Sequence, residues 1–262
     1  HLINRGNLFG DKSIVDADVQ CEEAWKSSTG DKSIIVAVLD EGVMVEHPDL
    51  KNSMWVNEGE VYRSKQDNDG NGYKGDVYGY NFVFETGVIS WDDINDTGHG
   101  THVAGVIAAQ NNNGIGISSI AGGNGDIPGV KIMSCQIFSG NDATSGAITT
   151  SAEAIKYAAD NGAAIIQCSF GSKAGAYTSD NAYERGSGVQ FNAIKYFIES
   201  QNCDAVDGGV VIFAAGNDAT AMSGYPGAYH DYISVTSFSP DYLPAYYTNY
   251  GPVSYTHLTL PT

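Results

Sequence analysis

Basic residues are scarce: 13 Lys and Arg stand against 31 Asp and Glu, a net charge of −18. Such a chain lacks the electrostatic footprint of a nucleic-acid binder, and an anionic membrane surface repels it. No apolar run approaches the ~20 residues of a membrane-spanning helix. Cysteine is confined to Cys21, Cys135, Cys168 and Cys203, widely spaced and without a CxxC pair, so a disulfide framework is not supported. Cys135 and Cys168 fall inside apolar runs and are read as buried free thiols. The sequence shows no signal peptide and starts at His1 rather than Met, and it is read as a fragment at both ends. No GxGxxG follows the first predicted strand, and no HExxH occurs; the usual marks of a dinucleotide fold and of a zinc peptidase are missing.

What is present describes a folded domain. Hydrophobic residues make up 42 % of 262, enough for a sizeable core and too many for disorder. Glycine, at 32 residues, points to tight turns and close backbone approaches. Short β-branched apolar runs predict buried strands at Ile34–Asp40, Val130–Ile137, Ala164–Phe170, Val210–Ala215 and Tyr232–Phe238. Helical patterns lie between them at Gly100–Gln110, Ala147–Asn161 and Val189–Asn202. Alternating strand and helix predicts an α/β fold, a doubly wound, mainly parallel sheet with helices on both faces. The Gly-, Asn- and Asp-rich stretch 57–98 reads as surface loops carrying sites. With no repeat and no linker, residues 1–252 read as one domain.

Two segments carry chemistry. The first strand ends in Leu39-Asp40-Glu41-Gly42-Val43, and the carboxyl ends of parallel strands are where α/β sheets build sites. Asp96-Thr97-Gly98-His99-Gly100-Thr101-His102 then opens a helix. Asp96 or Thr97 is the expected cap, and His99 falls where the helix dipole favours the neutral, basic ring. Gly100, Ala104, Gly105 and Ala108 are small, so this helix can approach a sheet closely and fix an imidazole against a strand-end carboxylate.

IIVAVLDEGV, DTGHGTHVAGVIAA, SFGS at 169–172 and VVIFAAGND at 210–218 together resemble the subtilisin-like serine peptidases, from about Ala24 to Gly251. The resemblance implies a three-layer α/β/α fold and a serine endopeptidase with its acid, base and nucleophile in that chain order. It implies that Asp40 orients the imidazole, that His99 is the general base, and that Asn217 donates to the oxyanion. Ser169, Phe170 and Gly171 match the segment that pairs with an extended substrate, and Ala214, Ala215 and Gly216 a wall of the specificity pocket. Protein or peptide substrates follow, with a propeptide as a further partner. Export or cell-surface location is expected, although intracellular relatives exist. The family's Gly-Thr-Ser motif is not found, and Thr144-Ser145-Gly146 stands in the wrong order. The chain as written is therefore expected to lack serine-acylation activity. Its last ten residues, Val253–Thr262, look like a translated sequencing adapter and are set aside. The other reading is an inactive homologue or a calcium-stabilised binding module on the same scaffold.

A second site is Asp67-Asn68-Asp69-Gly70-Asn71-Gly72. Asp67, Asp69 and Asn71 put oxygens at positions 1, 3 and 5 of an EF-hand-like loop, a spacing that suits Ca²⁺. Position 12 would be Tyr78 rather than Glu, so a complete EF-hand is excluded; Asp76 is a further donor. The plain alternative is a solvated Asx-turn loop.

Overall fold

The computed structural model describes residues 2–7, 12–140, 148–199, 206–251 and 254–255. In chain order the elements are α1 (Cys21–Ala24), β1 (Ile35–Asp40), β2 (Gly79–Asn81), α2 (His99–Ala108), β3 (Lys131–Gln136), α3 (Ile148–Asp160), β4 (Ile165–Cys168), α4 (Asp180–Gly186), α5 (Gly188–Glu199), β5 (Val210–Ala214), β6 (Ile233–Val235) and β7 (Ser254–Tyr255). They form two compact units: residues 29–167 with 189–210, and residues 1–28 with 168–188 and 211–262.

In the first unit β1 is central. It pairs in parallel with β3 and with β4, and β2 adds in parallel to β3. Five of the six β1 residues are buried, as expected of a parallel strand covered on both faces. Register sorts the faces. Val36, opposite Ile132, belongs with Val38, Leu50, Met54, Ala104 and Ala108 in one apolar cluster, so α2 covers that side. Leu39 lies opposite Cys135, and Cys135 opposite Tyr80, so these three share the other side. There Tyr157 of α3 lies 5.5 Å from Phe82 and 4.8 Å from Tyr73, edge to face. Helix, sheet and helix make three layers. Helix α5 joins α3 through Gln190 Nε2, which donates to Ser151 Oγ at 2.8 Å.

The second unit pairs β5 with β6 and β6 with β7, all in parallel. Phe213 and Tyr232 pack at 5.9 Å, and Tyr183 stacks on Tyr225 at 5.1 Å. The segment before α1 is tied to this unit where Ile14 N donates to Pro240 O at 2.8 Å.

The sequence-based strands stand where they were expected, each shorter by one to several residues. Four elements add to them, the four-residue helix α1 among them. Strand β2 is only three residues long and lies in the stretch read as loops. Helix α4 carries its own signals, Ser179 capping Ala182 N at 3.2 Å, Asp180 in the first turn and Arg185 in the last. Strand β7 falls in the decapeptide set aside above. Thr144-Ser145-Gly146, Cys203, Ala147 and the end of the Val189–Asn202 helix lie outside the described residues, as does the rest of the tail. Cys21 and Cys135 are free and buried, and Cys168 is buried.

Helix α2 starts one residue earlier than expected, and its approach to β1 is set by Gly100. A Cβ there would meet the Glu41 carbonyl oxygen at 2.1 Å. In an open helix Gly→Ala gains about 1 kcal/mol. Here Gly100→Ala is expected to lower Tm by about 5 °C or more, through ~2 kcal/mol of overpacking, in a thermal scan with Gly98 unchanged as the neighbouring reference.

Candidate active site

Asp40 is the last residue of β1 and is buried. Its backbone C=O accepts from Ile137 N at 2.9 Å, and its Oδ1 accepts from Glu41 N at 2.7 Å. Its carboxylate meets His99 Nδ1 at 2.7 Å from Oδ1 and 2.9 Å from Oδ2. A carboxylate only accepts, so the neutral ring donates from Nδ1 and keeps the Nε2 lone pair for a base's work. The His99 side chain is 47 % exposed while that of Asp40 is 5 % exposed. One edge of the ring is therefore anchored and the other faces out. Burial pushes the Asp40 carboxyl above the ordinary aspartate range, against the opposing pull of His99 and the Glu41 N–H.

The local chain departs from expectation at the helix start. Neither Asp96 nor Thr97 caps α2: the cap residue is Gly98, at φ 74°, with no side-chain bond. Glu41 takes that role from across the fold. Its carboxylate accepts from Thr97 N at 3.0 Å and from His99 N at 2.9 Å. His102, the second histidine of the motif, is exposed and donates its N–H to Gly98 O at 3.0 Å.

The remaining residues matched by sequence stand in the second unit. Ser169, Phe170 and Gly171 follow β4, and Phe170 meets Phe213 edge to face at 6.0 Å. Ser172 N donates to Tyr225 O at 2.7 Å just beyond them. Ala214 ends β5; Ala215 and Gly216 turn the chain, and Asn217 is exposed after them. That turn depends on Asn249. Its Nδ2 donates to Ala215 O at 3.1 Å, its N donates to Gly216 O at 2.9 Å, and its Oδ1 accepts from Asp218 N at 2.8 Å. Gly216 sits at φ 109°, and a Cβ there would meet Asn249 Nδ2 at 2.4 Å, so glycine is required on both counts. Asn249 is fully buried, and its duty leaves no local sequence signal because its partners lie about thirty residues away.

The chain matches the Subtilase family over residues 31–260. The chain belongs to the subtilase family. Halolysin from Haloferax mediterranei is 33 % identical over 89 % of this chain and 36 % of its own length. Thermitase from Thermoactinomyces vulgaris is 29 % identical over 97 % of this chain and 75 % of its own. Among solved structures, the nisin leader peptidase NisP from Lactococcus lactis aligns with a TM-score of 0.57 and 25 % identity, over 88 % of this chain and 63 % of that one. The prenylagaramide maturation protease PagA aligns with a TM-score of 0.59 and 21 % identity, over 89 % and 64 %, a likeness of fold. The chain thus spans about a third of halolysin and three quarters of thermitase. The three-layer α/β/α subtilase fold accounts for the parallel strands and the helices on both faces.

This subtilase gathers a second group of acids. Asp67 and Asp69 stand together with Asn71 and with Asp76, the further donor expected from sequence, and the fold adds Glu60. Carboxylate oxygens of Glu60, Asp67 and Asp69 lie within 4.8 Å of one another. Asn71 Oδ1 accepts from Tyr73 N, and its Nδ2 donates to Asp76 Oδ2 at 3.0 Å. Burial pushes the Glu60 carboxyl up, but donors from Asn68, Asp69 and Gly75 outweigh it and hold it below the usual range. Asp76 is fully buried and raised by that burial, although Tyr157 OH and Asn71 oppose the shift. Its Oδ1 has no hydrogen-bond partner among the described residues. Glu60 escaped the sequence reading because it lies outside the 1-3-5 spacing.

The raised Asp40 carboxyl has a consequence for stability. Its folded pKa exceeds its unfolded one, so stability present at low pH is lost as pH rises through the folded value. Asp40→Asn lacks that loss. The Tm of the variant is expected to gain on that of the unaltered chain over the pH window that begins at the ordinary aspartate value, about 4, and extends upward. A gap that stays constant across that window in thermal scans would remove Asp40 ionisation as its source.

Proposed function

We propose that the whole protein is a serine endopeptidase in which Asp40 and His99 are two members of the catalytic triad. The observation that carries this reading is the buried Asp40 carboxylate on His99 Nδ1 at 2.7 Å, at the carboxyl end of β1, in a chain of the subtilase family. A serine hydroxyl attacks the peptide carbonyl and passes its proton to His99 Nε2. The C–N bond then breaks, and the amine leaves with that proton. Water repeats the sequence on the acyl-enzyme. Asp40 keeps the ring in the productive tautomer and stabilises the imidazolium. Asn217 donates to the oxyanion. Ser169–Gly171 pairs with the extended substrate, and Ala214–Gly216 walls the pocket beside it. The nucleophile is a serine that the sequence does not supply in its family motif.

Substrates are proteins or peptides, and a propeptide is a further partner. Location outside the cell or on its surface fits the charge of −18 and a relative from Natrialba magadii described as an extracellular serine protease. No helix among the described residues is long and apolar enough to cross a membrane. The test is hydrolysis of a peptide by the whole protein. Asp40→Asn is expected to lower kcat by about 10⁴-fold and His99→Ala by about 10⁶-fold, the sizes typical of Ser-His-Asp triads. A whole protein that neither hydrolyses peptide nor takes a fluorophosphonate label would favour the inactive homologue.

Ca²⁺ belongs to the same reading as a structural ion. The residues fit it: Glu60, Asp67 and Asp69 converge hard oxygens, and Asp76 Oδ1 lacks a partner among the described residues. Glu60, Asp67 and Asp69 would hold the ion, with Asn71 and Asp76 as further oxygen donors beside them. The ion supplies charge neutralisation, relieving repulsion among carboxylates fixed in one loop. Saturating Ca²⁺ is expected to raise Tm by about 5–10 °C, the effect of ~100-fold excess over Kd in a domain of this size. Asp69→Asn should abolish the rise, and a Tm indifferent to both Ca²⁺ and EDTA would leave a solvated Asx-turn loop.

A further inference from the structure

The start of α2 is held in an unusual way. An ordinary helix is capped by a Ser, Thr, Asp or Asn at its own N-cap, which satisfies one of the orphan amides of the first turn. Here the cap position is Gly98, in the left-handed region and without a side chain. The acceptor comes instead from Glu41, 58 residues earlier in the chain. Its Oε2 accepts from His99 N at 2.9 Å and from Thr97 N at 3.0 Å, and the Thr97 hydroxyl donates to the same carboxylate at 3.1 Å. The adjacent residue, Asp40, accepts from the ring of the same histidine. Two consecutive carboxylates at the end of β1 therefore hold one residue at both its side chain and its backbone.

We propose that Glu41 is a positioning residue for His99, fixing its backbone while Asp40 fixes its ring. The inference rests on the reading of His99 as the base. With Asp40 alone, the imidazole could pivot about its Nδ1 bond as the first turn of α2 frays. With Glu41 on the amide, the ring and its Cα are both referred to the same strand end, so ring rotation and helix fraying are suppressed together. Two further contacts close the arrangement. Met44 N donates to Thr101 Oγ1 at 2.9 Å, and Gly100 allows the helix backbone to rest against the Glu41 carbonyl. The anion also sits at the positive end of the helix dipole, where it is favoured. A base must be held to within about 0.5 Å of its working position, and a 1 Å misplacement can cost about 100-fold in rate. That is the range of effect Glu41 is expected to control.

The experiment uses Glu41→Ala and Glu41→Gln, the second keeping one acceptor oxygen. In the whole peptidase, Glu41→Ala is expected to lower kcat about 10- to 100-fold with KM unchanged, and Glu41→Gln to restore much of it. In this chain, the downfield Nδ1–H proton resonance of His99 should broaden or vanish in Glu41→Ala, with near-UV circular dichroism intact, and return in Glu41→Gln. A sharp resonance and an unchanged kcat in Glu41→Ala would overturn the proposal. If His99→Ala leaves hydrolysis intact, the catalytic reading fails, and the resonance still decides what Glu41 does. Should Glu41→Ala not fold, amide exchange on the unaltered protein decides. Protected Thr97 and His99 amides support the proposal, and exchange as fast as in an open loop overturns it.

Discussion

Helix α2 lies against the end of strand β1 closely enough that one residue, Gly100, can bear no side chain where it passes the Glu41 carbonyl. That approach has several consequences. It lets Ala104 and Ala108 pack on Val36 and Val38 with no intervening bulk. It brings His99 within hydrogen-bond reach of Asp40. It also lets Glu41 stand in for a missing N-cap. Small residues along α2 are thus less about helix propensity than about distance: each removed methyl group shortens the gap between a dipole, an imidazole and two carboxylates.

Burial of Asp40 illustrates the tension this creates. Desolvation disfavours its charge, and the folded state holds the carboxyl above its ordinary range despite two hydrogen bonds that oppose the shift. The protein tolerates a buried acid that weakens the fold as it ionises, because an oriented acceptor is what keeps the imidazole in one tautomer. The acidic loop shows the same tension at larger scale. Glu60 is stabilised as an anion by four donated hydrogen bonds, whereas Asp76, further inside, retains an oxygen with no donor among the described residues. Tyr157 of α3 donates to its other oxygen at 2.7 Å. The loop is thereby coupled to the aromatic layer of Tyr73, Tyr80 and Phe82 that covers the second face of the sheet.

The turn after β5 is organised by comparable means. A single buried asparagine, Asn249, satisfies the backbone on both sides of Gly216. An amide side chain suits this task because it offers a donor and an acceptor at once, where a carboxylate would leave one partner unmet. The exposed Asn217 that follows is presented by a turn that its neighbours cannot easily deform.

Much of this was legible in the sequence. Apolar runs such as Ile34–Asp40 identified the parallel strands because strands buried on both faces must be continuously hydrophobic. Asp40 and His99 were legible because their motifs are local and their chemistry needs those residue types. The spacing of Asp67, Asp69 and Asn71 pointed to the loop in which the fold gathers its acids. What the sequence could not disclose depends on contacts between distant residues. The cap of α2 was expected within Asp96–Thr97 and comes instead from Glu41, since hydrogen-bond acceptors compete in space rather than along the chain. Glu60 joined the acidic loop, and Asn249 became the support of the Gly216 turn, for the same reason. Short elements such as β2 carry too few residues for a periodic signal, and their strand geometry is imposed by the neighbour they pair with. Residue chemistry thus determined which groups are available, and tertiary structure decided which of them meet, because the partners of a buried amide or carboxylate are set by packing.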